Sequence, residues 1–248
     1  MFNTIRAEYR KFLTVRSTYA ILGIAVLLLI LFGFYVEGYR ISSTELYDKS
    51  LFYNQSQQGI LLVGFLGSLI GLLLMTHEYR YNTIMYTLTA ARSRTRVFLA
   101  KTIVITVFAV VFSILVGFLT PLLVWLGVRV HGGTLIPQHI AFVQIIWHDV
   151  FVAWAYCMFG FILAVIVRSQ VGAISALFLV PAVLEPLLGL ILKKKAIYLP
   201  YNSTQSIVTT NASLAHISAG RATLVVLAYI VVGLFVGWFL FLKRDASS

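Results

Sequence analysis

Residues able to do chemistry are few, and their spacing is wrong for it. His131, His139 and His148, with Asp149, come nearest to a metal or acid–base cluster. They fit neither a helical ligand pair nor a zinc-finger interval. No H-E-x-x-H run occurs, and no G-x-x-x-x-G-K-S/T loop offers backbone amides to a nucleotide's phosphates. Gly64–Gly71 (GFLGSLIG) has the wrong spacing for a G-x-S-x-G nucleophile turn and reads as the surface of a packed or lipid-facing helix. Cys157, the single cysteine, excludes an intrachain disulfide and reads as a small buried hydrophobe. The chain is therefore expected to hold neither a catalytic site nor a metal.

Two carboxylates stand in or beside apolar runs. Asp149 opens one run, and Glu185 precedes Pro186 towards the end of another. Burying such a charge in hydrocarbon costs about 2.5–3.5 kcal/mol, so each must face protein, a cavity or the interface. Two roles stay open for Glu185. It could satisfy backbone groups freed where proline interrupts its helix, or it could line a substrate or proton path.

The elements that would position these groups follow from hydropathy. Sixty per cent of the 248 residues are apolar and 11% are charged, so most of the surface must face something other than water. About 20 apolar residues are needed to span a bilayer. Six runs qualify, at about 19–36, 59–75, 102–128, 145–167, 171–192 and 222–242. The second is short, and the third contains Pro121, which predicts tilt or a kink near its far end. Only Arg168, Ser169 and Gln170 separate the fourth and fifth, a tight helical hairpin. The small residues Gly64, Gly67, Ser68 and Gly71 allow close approach of another helix, either within the chain or in a dimer.

The net charge of +11 does not indicate nucleic acid, because Lys and Arg cluster between apolar runs rather than along one face. With the N-terminus inside, twelve of the nineteen fall in inner segments, which predicts that both termini are cytoplasmic. Lys193–Lys195 is the exception. The N-terminus is too charged for a signal-peptide core, so the first apolar run is expected to remain as an anchor. Within residues 1–17, Phe2, Ile5, Tyr9, Phe12 and Leu13 share a helical face, with Arg6, Arg10 and Lys11 largely elsewhere. That pattern predicts a helix lying in the interface with its basic groups at anionic headgroups; a solvated tail is the alternative. The stretch Lys193–Arg221 is too apolar for a free loop and predicts short helices dipping into the outer leaflet. Asn54, Asn202 and Asn211 form N-x-S/T triplets in outer segments.

The inner loop after the second run carries the most specific pattern, His77-Glu78-Tyr79-Arg80-Tyr81-Asn82-Thr83-Ile84, then Leu88, Ser93, Arg94 and Lys101. Thr83 can cap a short helix on which Ile84 and Leu88 share a face. A rigid amphipathic helix offered to the cytosol between two spans is built to receive a push from a soluble partner. Glu78, Tyr79, Thr83, Ile84, Leu88, Ser93, Arg94 and Lys101 resemble the coupling-helix region of ABC type-2 permeases, the membrane subunits of many bacterial ABC exporters. Asn82 stands where glycine is commoner, and Ala90-Ala91 replace an expected proline. Glu8-Tyr9-Arg10-Lys11 resembles that family's elbow helix. Glu185-Pro186 and Tyr198-Leu199-Pro200-Tyr201 look like the end of its fifth helix and its outer re-entrant region.

The resemblance implies an all-α integral membrane fold over residues 1–248. It would comprise six transmembrane helices, an N-terminal interfacial elbow helix, a cytoplasmic coupling helix between spans 2 and 3, and outer re-entrant helices between spans 5 and 6. It further implies a bacterial plasma-membrane location, a dimer with a second permease copy or paralogue, and a cytoplasmic ABC ATPase subunit that carries the ATP and Mg. Membrane lipid is a further expected partner. In that scheme Ile84 and Leu88 insert into the ATPase, and Glu78 and Arg80 make polar contacts beside them. The bare spans favour a hydrophobic or amphipathic cargo. An intramembrane enzyme or an ion-coupled transporter would want polar residues at matching depths in several spans. A signalling or immunity protein on the same scaffold is the remaining alternative.

Overall fold

In a computed structural model of the chain, the described residues are 2–40, 58–81, 83–91, 93–131, 142–208 and 217–243. Asn54, Asn82, Arg92, His139 and Asn211 lie outside them. The described residues are helical throughout, without strands. Helix α1 covers Phe2–Thr14, α2 Arg16–Tyr39, α3 Gln58–Arg80, α4 Ile84–Ala91 and α5 Arg94–Val130. Then follow α6 Phe142–Val167, α7 Gln170–Tyr198, α8 Pro200–Val208 and α9 Ala219–Lys243. Six of them (α2, α3, α5, α6, α7 and α9) are long and apolar enough to cross a membrane. The chain is a multi-pass membrane protein.

All six spans exceed their hydropathic runs, and the extensions of α3 and α5 place residues of the inner motif. Helix α3 has 23 residues, because the Tyr81 amide donates to the His77 carbonyl and the Thr83 amide to that of Glu78. His77, Glu78 and Arg80 thus form the last turn of a span rather than a loop, and the second span is not short. Helix α5 has 37 residues, about 55 Å at 1.5 Å per residue, against a hydrocarbon core of about 30 Å. Its first two turns precede the apolar run and carry Lys101. The helix continues through Pro121 to Val130.

Spans α3 and α6 form the centre, each about two-thirds buried, while α2 and α7 are the least covered. The central crossing depends on missing side chains. A Cβ on Gly160 of α6 would strike the Ser68 backbone of α3, and one on Gly71 would strike the Cys157 carbonyl. Cys157 itself is fully buried with a free thiol. The small-residue face of α3 therefore meets α6 of the same chain, which resolves the choice between internal packing and a dimer contact at this face. Gly38 and Gly127 allow the same close approach between α2 and α5. The half of α2 that makes it, Ile30–Tyr39, is wound as a π-helix.

Helix α7 is broken into pieces, with a π turn at Val180–Leu184 around Pro181 and a 3-10 turn from Lys193, where φ is 47°. Glu185 is buried, and its two oxygens accept from the Tyr201 and Asn202 amides at 2.8 and 2.9 Å. The donors it satisfies are those at the start of α8, not any freed by its own proline. An anion belongs there, because the first amides of a helix lack intrahelical acceptors. Glu185→Leu is expected to destabilise by about 1–3 kcal/mol, since two buried amides lose their partner. Glu185→Gln should lose less. Thermal unfolding of the purified chain checks both.

Candidate functional site

Four charged side chains converge where α1, α3, α4 and α5 meet. Glu8 comes from α1 and lies on the same helical side as Ile5 and Phe12, the side turned to the bundle. Phe2, Tyr9 and Leu13 are the exposed flank of α1, so only part of its apolar arc is left open. Lys101 sits two turns into α5 and is 1% exposed. Glu78 sits in the last turn of α3 and is also buried. Lys11 reaches in from the rim.

The geometry closes a ring. Lys101 Nζ lies 2.6 Å from Glu8 Oε2 and 3.1 Å from Glu78 Oε2. Lys11 Nζ lies 2.7 Å from Glu78 Oε1 and 3.1 Å from Glu8 Oε1. It also donates to Thr87 Oγ1 of α4 at 2.9 Å, and Thr87 Oγ1 donates to Glu78 at 3.1 Å. Two cations and two anions cancel, as buried charges must. Burial pulls the Lys11 ammonium's pKa down, but hydrogen bonding and attraction from Glu78, then Glu8, outweigh it and hold it above its ordinary value. Beside the ring opens a cavity of about 500 Å³.

The sequence-predicted residues separate into two groups here. Glu78, expected to face a partner, is part of the ring. Lys11, expected at headgroups, spends its donors inside the protein, whereas Arg6 and Arg10 remain exposed. Thr83 immediately precedes α4, and its carbonyl accepts the Thr87 amide at 3.3 Å. Ile84, expected on the outward face, is 3% exposed and belongs to the same buried cluster as Val97 and Phe98, with Leu88 half-buried against it. The large apolar or aromatic side chains that α4 and its approach leave exposed, among the described residues, are Tyr81, Met85 and Tyr86. Arg80 is exposed too, its Nη1 donating to Gln170 Oε1 at 3.4 Å.

Glu8 and Lys101 were legible as motif residues but not as partners. The available signal was a lone lysine entering an apolar run and a glutamate flanking the apolar arc of an amphipathic helix. Two arginines do further work at this end of the bundle. Arg94 Nη1 donates to the Leu242 carbonyl at 3.1 Å and Arg168 Nη2 to that of Leu240 at 3.0 Å, satisfying the last turn of α9. Arg168 also lies 5.9 Å from the Tyr79 ring.

The description "ABC-2 family transporter protein" matches residues 4–185, which contain the ring, α4, the first four spans and the first half of the fifth. The chain belongs to this family. No curated protein matches it. Membership makes the ABC-2 chain a permease component of a membrane transporter and implies an ABC ATPase partner in general. Within that frame, the ring binds the short helix α4 to three other elements of the permease.

Proposed function

We propose that this ABC-2 chain is the membrane-spanning subunit of an ATP-driven exporter, with both termini cytoplasmic, α1 as its interfacial elbow and α4 as its coupling helix. A separate ATPase supplies ATP and Mg. The chain pairs with a second permease copy or paralogue, and the cargo is hydrophobic or amphipathic. The ring of Glu8, Lys11, Glu78 and Lys101 carries this reading. Thr87 of α4 is hydrogen-bonded into a buried charge cluster shared by α1, α3 and α5. A push on α4 is therefore passed to the spans instead of being absorbed by a loose loop. Glu78 acts as a joint within the permease, while Tyr81, Met85 and Tyr86 meet the ATPase. Aromatic and methionine side chains are suited to that contact. The stretch from Lys193 to Val208 forms the outer re-entrant region, anchored by Glu185.

The test separates the two faces of α4. Tagged full-length chain purified from its native membrane should bring down an ABC ATPase. Met85→Asp with Tyr86→Ala should lower that recovery about tenfold or more, with the permease still folded. Ile84→Asp should instead lower the yield of folded chain, because its charge enters a core. Unchanged ATPase recovery in the Met85/Tyr86 variant would count against the coupling assignment.

A further inference from the structure

A second cavity, of about 520 Å³, lies beside the first between α2, α3 and α7. Its mouth holds Arg16 and Ser17 at the start of α2, Arg80 at the end of α3 and Gln170 at the start of α7. Its floor is apolar, formed by Ile21, Leu69, Ile174 and Phe178. From Gln170 to Phe178 the floor runs about 12 Å at 1.5 Å per residue.

Charge distinguishes the two cavities. The first is lined by both carboxylates and both lysines of the ring, so its charge is already spent. The second has two arginines and no carboxylate in its lining. Among the described residues neither arginine is in a salt bridge, and Arg80 is held at the rim by Gln170. Guanidinium groups present a planar fork of donors that matches carboxylate and phosphate oxygens. The walls come from α2 and α7, the least covered spans, so the groove can be filled sideways from lipid.

We infer that this groove binds an anionic amphiphile, its carboxylate or phosphate head on Arg16 and Arg80 and its acyl chain along Ile21, Leu69 and Phe178. The size suits such a ligand, with part of a long chain left in the bilayer. The head could belong to a membrane phospholipid or to a single-chain acid; both present the same chemistry. The inference narrows the class of cargo the groove would admit, and for that role alone it rests on the permease reading. Binding needs no ATPase. A failure to bind therefore counts against the groove, and a failure to recover an ATPase counts against the permease reading.

The test uses full-length chain in phosphatidylcholine nanodiscs and hexadecanoate carrying a fluorophore at its tail, read by anisotropy. Hexadecyl phosphate should displace the probe; phosphatidylglycerol should match it if the head is a membrane phospholipid's and compete at least about tenfold less well if the groove takes a single-chain acid. Hexadecanol should displace the probe about tenfold less well than hexadecyl phosphate, and inorganic phosphate not at all, because head and tail are both required. Replacing both arginines (R16Q with R80Q) should weaken binding about tenfold or more and erase the preference for acid over alcohol. R16K with R80K keeps the charge without the fork and should fall between. K194Q with K195Q removes the same charge from exposed positions outside the groove and should bind as the unmodified chain does. Equal displacement by hexadecanol, unchanged binding in R16Q/R80Q, or an equal loss in K194Q/K195Q would each overturn the inference.

Discussion

Replacing Lys101 by methionine is expected to cost about 3–5 kcal/mol, enough to unfold much of the protein at physiological temperature. Lys101 is 1% exposed and holds Glu8 at 2.6 Å and Glu78 at 3.1 Å. Methionine keeps the volume but leaves one net negative charge in a buried ring. The remaining cation, Lys11, is about half exposed and already shared between both carboxylates. The same reasoning predicts coupling within the ring. Adding Glu8→Gln to Lys101→Met removes one charge of each sign and leaves the Lys11–Glu78 pair intact. The double variant should be less destabilised than the sum of the two single variants, with a coupling energy of about 1–3 kcal/mol. Melting of the purified chain, followed by fluorescence-detected gel filtration, reads each term. If Lys101→Met alone melts like the unmodified protein, the ring holds nothing together and cannot transmit movement from α4.

An alanine at Gly160 is the second large effect. Overpacking usually costs about 1–3 kcal/mol where a neighbouring side chain can shift. Here the obstacle is the backbone of Ser68 on α3, which no rotamer change relieves. A loss at or above the upper end of that range is expected, seen as a lower melting temperature and a poor yield of monodisperse protein. Gly23 supplies the internal control. It lies in α2 with nothing within 4 Å of a built Cβ, so Gly23→Ala should stay within about 0.5 kcal/mol of the unmodified chain. Equal tolerance at both sites would show that the Ser68 backbone does not close on Gly160 and that α3 and α6 cross more loosely.

Much of the fold was legible in the chain itself. Hydropathy is a property of contiguous residues, so six apolar runs, the Arg168–Gln170 hairpin and the multi-pass membrane class follow from local composition. The Glu78–Leu88 pattern was legible for the same reason. Its cues are a few residues long and depend on helix geometry alone.

Tertiary structure decided which of those residues meet. Glu8 and Lys101 are 93 positions apart, and Lys11 and Glu78 are 67 apart. No periodicity links them, because each helix can rotate about its axis without altering its own hydrogen bonds. Packing against α3 and α5 sets that rotation. It turns Glu8 inward on α1 and Ile84 inward on α4, leaving Met85 and Tyr86 outside. It likewise sends Glu185 to the start of α8 and the glycines of α3 against α6. The sequence determines which segments leave water, while the mutual rotation of packed helices determines which charges they carry into contact.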